Sequence, residues 1–121
     1  MSDMTKLAER YLNCWNITDA AERRAEMEEV LTESASYIDP LAGVHGRDQI
    51  DAVMAAVQGQ FPGLVFTLAG EVDAHHNVAR FNWHLGPEGG DAIVIGFDVA
   101  VLDEDGRIAT VYGFLDQVPA A

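Results

Sequence analysis

Apolar residues at Met4, Leu7, Ala8, Tyr11, Leu12 and Trp15 fall at i, i+3, i+4 and i+7, the stripe of one helical face. The spacing predicts an amphipathic helix from Met4 to Trp15, with Ser2 or Asp3 able to cap its start. Asn16 and Thr18 interrupt it, and Asp19 is placed to cap a second helix running to about Leu31. The apolar side of that helix is thinner, with Met27, Val30 and Leu31 facing a charged surface. A short apolar run then ends in Tyr37-Ile38-Asp39-Pro40, and a third helix follows from about Arg47 to Gln58, with Gly59 placed to end it.

Beyond Phe61-Pro62-Gly63 the period changes from 3.6 to 2. Turn-forming residues at Asn77, at Gly86 to Gly90 and at Asp103 to Gly106 delimit strands from Leu64 to Ala74, Val78 to Leu85, Ala92 to Leu102 and Arg107 to Val118. Their short connections suit antiparallel hairpins. Helices followed by hairpin-linked strands define an α+β class, with the helices on one face of a curved antiparallel sheet. The strand Ala92 to Leu102 is apolar on both faces and needs cover on both, which three helices on one side do not supply. A homodimer is the simplest way to cover the second face. Asp98 lies mid-strand on the face of Val94, Gly96, Ala100 and Leu102, where an unpartnered carboxylate would be costly.

Composition narrows the function. At 121 residues the chain fits one domain, and 49% apolar against 22% charged residues is globular usage. A formal charge of −13 repels phosphate backbones and anionic lipid surfaces, so neither nucleic acid nor membrane is an expected partner. The single cysteine, Cys14, allows no internal disulfide and reads as a buried inert thiol. The first six residues carry no apolar core of signal-peptide length and no run approaches a membrane span, which points to a cytoplasmic protein. Among four histidines, His75 and His76 are adjacent and would face opposite ways, so no metal site is expected. No glycine-rich phosphate loop or nucleophile elbow is present, and no cofactor is expected.

The chemistry-bearing candidates are Asp39, Asp98 and Tyr11. Pro40 and the nearby glycines place Asp39 at a sharp corner, where it either looks into a cavity or accepts local backbone bonds in an Asx-type turn. Asp98 is either a pocket acid or half of a buried pair with Arg80 or a histidine. Tyr11 is either a site phenol or core.

These residues, with the run Arg10 to Asn16, Tyr37-Ile38-Asp39-Pro40 with Gly46, and Asp98 before Asp105-Gly106-Arg107-Ile108, resemble the nuclear transport factor 2-like superfamily. The nearest branches are the SnoaL-like polyketide cyclases and ketosteroid isomerases. The resemblance covers nearly the whole chain and implies one SnoaL-like domain over 1–121, a cone of three N-terminal helices on a strongly curved sheet with an open pocket. In ketosteroid isomerase an aspartate base works with a tyrosine and with an aspartic acid that its apolar site keeps protonated. The resemblance thus assigns Asp39 as base and Tyr11 and Asp98 as oxyanion donors, acting next to a carbonyl of a small, mostly apolar organic molecule. Trp15, Phe61, Trp83, His84 and Phe114 are candidate pocket residues, His84 because either set of alternating β-strand residues from Ala79 to Leu85 could face the cavity, and Asp116 resembles the acid of polyketide cyclases and is the rival acid. The arginine that epoxide hydrolases of this fold place two residues before an aspartate is Gly96 here, which argues against that activity. The superfamily also contains non-catalytic members, so a ligand-binding or dimerisation module of the same fold is the alternative.

Overall fold

The computed structural model describes residues 3–119. Helix α1 (Asp3–Cys14) follows the expected stripe and buries Ala8, Tyr11, Leu12 and Cys14. Ser2, one of the two candidate caps, lies outside the described residues. Helix α2 (Ala20–Val30) is capped as expected, the Asp19 carboxylate accepting from the Glu22 amide at 2.9 Å. It passes directly into strand β1 (Leu31–Ile38), which is followed by a short strand β2 (Gly43–His45) that the sequence pattern did not mark. Helix α3 (Arg47–Gln60) runs through Gly59 and not merely up to it. Gly59 keeps a negative φ there, and the chain turns instead at Gly63, with φ +80°.

The remaining strands are β3 (Val65–His75), β4 (Val78–Gly86), β5 (Val94–Leu102) and β6 (Ile108–Gln117). They form one six-stranded sheet in the order β2-β1-β6-β5-β4-β3. The β3 to β6 meander is antiparallel as its hairpins require. One pairing departs from the antiparallel expectation: β1 runs parallel to β6, Tyr37 opposite Val111 and Ile38 opposite Tyr112. A helix and four strands separate β1 from β6 in the chain, so no tight hairpin constrains their relative direction. Register shifts between Ala69 and Asp73 and between Ile95 and Gly96 mark irregularities that bend the sheet.

The helices cover the concave face. There Phe81, Trp83, Leu85, Val94, Ala100 and Val111 pack against Tyr11, Leu12, Met27, Ile50 and Met54 in one contiguous core. The elements are also tied by polar contacts. Arg23, only 4% exposed, donates to Asp51 at 2.6 Å, and the Gln58 amide donates to the carbonyls of Trp15 and Ile17. The convex face carries Arg80, Asn82 and His84 on β4 and leaves Tyr112 and Phe114 exposed at 42% and 49%. Phe97 stacks on Phe114 with centroids 4.9 Å apart, an apolar patch that nothing in the protomer covers.

Candidate active site

Asp39 ends β1, and its local chemistry satisfies both readings offered by the sequence. Its amide donates to the Ala42 carbonyl at 2.8 Å, and its Oδ1 accepts from the amides of Leu41 and Ala42, each at 2.8 Å. This is a turn-capping aspartate. Its Oδ2 accepts from the Tyr37 hydroxyl at 2.6 Å, and the residue lines a cavity between the helices and the sheet. Tyr37 lies on β1 two residues before Asp39, which follows directly on the end of that strand.

Asp98 is only 4% exposed, and its Oδ1 accepts from the Trp83 indole N–H at 3.1 Å. Trp83 lies diagonally across the β4–β5 ladder, within reach of a long side chain. Burial pushes the Asp98 carboxyl up to about 7, against the opposing effect of the indole bond, and the nearby Asp39 charge adds to the rise. The pairing with Arg80 or a histidine does not occur. Arg80 faces the other side of the sheet and donates to Asp73 at 3.2 Å.

The two acids meet at Gly113 on β6, the ladder partner of Asp98. A Cβ on Gly113 would lie 3.1 Å from Asp98 Oδ1, 3.2 Å from Asp39 Cβ and 3.6 Å from the Tyr37 hydroxyl. Three functional groups thus surround one spot where the chain has no side chain. The cavity above them has a volume of about 210 Å³. Its wall is a run of rings: Tyr37 to Trp15 at 5.4 Å between centroids, Trp15 to Phe66 at 5.6 Å, and Phe66 to Trp83 at 5.3 Å. Leu41 and Val118, 84% and 57% exposed, stand at its rim with Phe61.

Of the residues singled out from sequence, Asp39, Asp98, Trp15, Phe61 and Trp83 line this cavity. Tyr11 does not. It is fully buried behind the floor, edge-on to Trp15 and Phe81. Among the described residues its hydroxyl has no hydrogen-bond partner. Burial first, and then the charge of Asp98, push its pKa well above the ordinary phenol value. His84 and Phe114 lie on the opposite side of the sheet. Trp83 and Leu85 point inward, so His84 points outward, and Leu115 lines the cavity, so Phe114 does not. Asp116 is exposed at the register shift where Leu115 pairs with Gly96 and Gln117 with Ile95, and it does not line the cavity. The residue that sequence reasoning missed is Tyr37. Its position i−2 to Asp39 on a strand was the available signal. Burial, first, and also its hydrogen bond to Asp39 raise its pKa strongly.

Cys14 is buried and its thiol is pushed up to about 12, by burial first, so it is not a nucleophile at neutral pH. Among the described residues no cluster of three or more His, Cys, Asp or Glu is arranged to hold a metal ion. No helix is long and apolar enough to cross a membrane.

Three helices on a bent six-stranded sheet, enclosing an apolar cavity, are the nuclear transport factor 2-like fold. The SnoaL-like domain family matches residues 8–111, and the chain belongs to that family. A crystal structure of a candidate isomerase of the SnoaL-like family from Agrobacterium tumefaciens is 40% identical, with a TM-score of 0.86, covering 92% of this chain and 95% of that one. A candidate SnoaL-like polyketide cyclase from Jannaschia superposes with a TM-score of 0.71 at 19% identity, covering 96% and 90%. A SnoaL-like protein of unknown function from Burkholderia thailandensis gives 0.72 at 14% identity, covering 95% and 98%. The last two are likenesses of fold alone. No curated protein matches the chain.

Proposed function

We propose that the protein is an acid/base isomerase or cyclase acting next to a carbonyl of a small, mostly apolar molecule. The observation that carries this reading is the meeting of Asp39, Asp98 and one phenol at Gly113, beneath an aromatic cavity, with burial pushing the Asp98 carboxyl up to about 7. Asp39 takes the proton from the carbon beside the carbonyl. Asp98, neutral in part at pH 7, donates to the oxygen as negative charge develops there, and Tyr37 is the second donor in place of Tyr11, its one O–H turning from Asp39 to that oxygen as Asp39 takes up the substrate proton. The enolate is then reprotonated at another carbon or attacks a second carbonyl. The 40% identical isomerase candidate supports the reaction class. The test is deuterium exchange at the α-carbon of small cyclic enones in D₂O, followed by NMR. Exchange above the buffer rate that collapses in Asp39→Asn supports the reading, and exchange unchanged in that variant refutes it.

A binding module without chemistry is the second reading. It is favoured by the three local hydrogen bonds already on the Asp39 carboxylate. We infer also that a second copy covers the convex face, because Tyr112 and the stacked Phe97–Phe114 pair are otherwise open to water. Sedimentation equilibrium checks this, with Phe114→Glu expected to give monomers.

A further inference from the structure

The cavity has an electrostatic character that the acid/base reading does not use. Its ring wall begins at Tyr37, whose hydroxyl is bonded to Asp39, and ends at Trp83, whose indole N–H is bonded to Asp98. The arc of four rings therefore closes on a carboxyl group at each end. Among the described residues no Lys, Arg or His lines the cavity, and the chain as a whole carries −13. The groups facing Asp98 from the elements packed on it are Asp39 from the turn after β1, Tyr37 from β1, Tyr11 from α1 and the Trp83 indole from β4. From β6 it meets only the bare backbone of Gly113. None of these groups is a cation. The indole is the one hydrogen-bond partner of Asp98 among the described residues, which leaves its second oxygen for a ligand.

We propose that this cavity is a binding site for small apolar ammonium ions, the charged head seated between Asp98 and Asp39 and the apolar body against the rings. The physical basis has three parts. Aromatic faces attract a cation through their quadrupole, and more strongly where water is excluded. Two acids without a compensating base supply the countercharge that a desolvated ammonium needs. The overall field draws cations in and keeps carboxylates and phosphates out. The proposal stands apart from the acid/base reading, since a cation is bound by ionised Asp98, whereas an enolate is stabilised by the neutral form.

The experiment compares three probes of one shape, benzylamine, benzyl alcohol and benzoate. Binding is followed by the fluorescence of Trp15 and Trp83, the only two tryptophans and both on the cavity wall. At pH 8 benzylamine is expected to bind at least about tenfold more tightly than benzyl alcohol, with benzoate not binding. Lowering the pH to 5.5 protonates Asp98, which titrates near 7, and weakens the amine by about thirtyfold while leaving the alcohol within about twofold. Asp98→Asn should lose the pH dependence and the preference for the amine but keep the alcohol, which also shows that the variant is folded. Equal affinity for amine and alcohol at pH 8, binding of benzoate, or amine affinity indifferent to pH and to Asp98→Asn would each overturn the proposal. None of those results would touch the α-carbon exchange that tests the acid/base reading.

Discussion

Replacing Asp98 by Asn should remove a pH-dependent weakness from the fold. In the unfolded chain Asp98 titrates near its ordinary 3.8, and in the folded protein near 7. The folded state holds the proton more tightly, so the stability tied to that proton is complete below 3.8 and is lost as pH rises through 7. Each unit of difference is worth about 1.4 kcal/mol, which makes the full span about 4 kcal/mol. Between pH 5 and pH 8 the loss is about 2.5 kcal/mol. Asn keeps the shape, can still accept from the Trp83 indole and carries no charge to bury. Urea unfolding of both proteins at pH 5 and pH 8 isolates the effect, because every other titrating group, the four histidines included, is common to the pair. The parent should fall by about 2.5 kcal/mol more than Asp98→Asn over that interval, and the variant should be the more stable protein at pH 8. Parallel pH profiles, or a variant less stable at pH 8, would mean that burial does not hold the Asp98 proton and that its role as a donor near neutrality fails.

Tyr37→Phe should cost about 1.5–3 kcal/mol by removing a hydrogen bond to a charged group, whereas Tyr11→Phe should be neutral or slightly stabilising because it deletes an unpartnered buried hydroxyl. Denaturant midpoints decide between them, and the reverse order would restore Tyr11 to the site. Gly113→Ala should cost about 1–3 kcal/mol and abolish probe binding, since its methyl group would press on Asp98 and Asp39 together. Thermal unfolding and the same fluorescence titration measure both effects, and a variant that binds normally would disprove the meeting point. At Gly96 a Cβ would run into the Trp83 ring and the Phe114 carbonyl, so Gly96→Ala should cost about 3 kcal/mol or more and disturb the ring wall. A loss below about 1 kcal/mol by urea titration would show that the ring does not lie over the strand.

The architecture was legible because its periods are strong. The stripe from Met4 to Trp15 and the turn residues between the later strands place α1 and the β3 to β6 meander within a few residues of where they lie. Two features escaped for physical reasons. The strand β2 is three residues long and is held by pairing with β1, so no local period announces it. The parallel contact of β1 with β6 joins segments about 70 residues apart and is decided by the sheet as a whole.

The lining of the cavity was legible in Asp39 and Asp98 and not in Tyr37, and the difference lies in what each residue's neighbours reveal. Asp98 is conspicuous because an acid in an apolar strand contradicts its surroundings, and Asp39 because proline follows it. A tyrosine on an apolar stripe contradicts nothing, so Tyr11 and Tyr37 look alike in sequence, each being a buried ring. What separates them is the direction of the hydroxyl. On β1 the pleat turns Tyr37 toward the face that Asp39 shares, and their 2.6 Å bond commits that hydroxyl to the cavity. On α1 the ring of Tyr11 fills the space beside Phe81, and its oxygen ends in the core. The exchange of one phenol for the other leaves the same groups above Gly113 while moving the proposed donor from a helix to the strand that leads into the proposed base. Any change in the Asp39 turn therefore moves base and donor together, which is why Tyr37→Phe and Asp39→Asn should be non-additive in α-carbon exchange, the double variant losing no more than the worse single one.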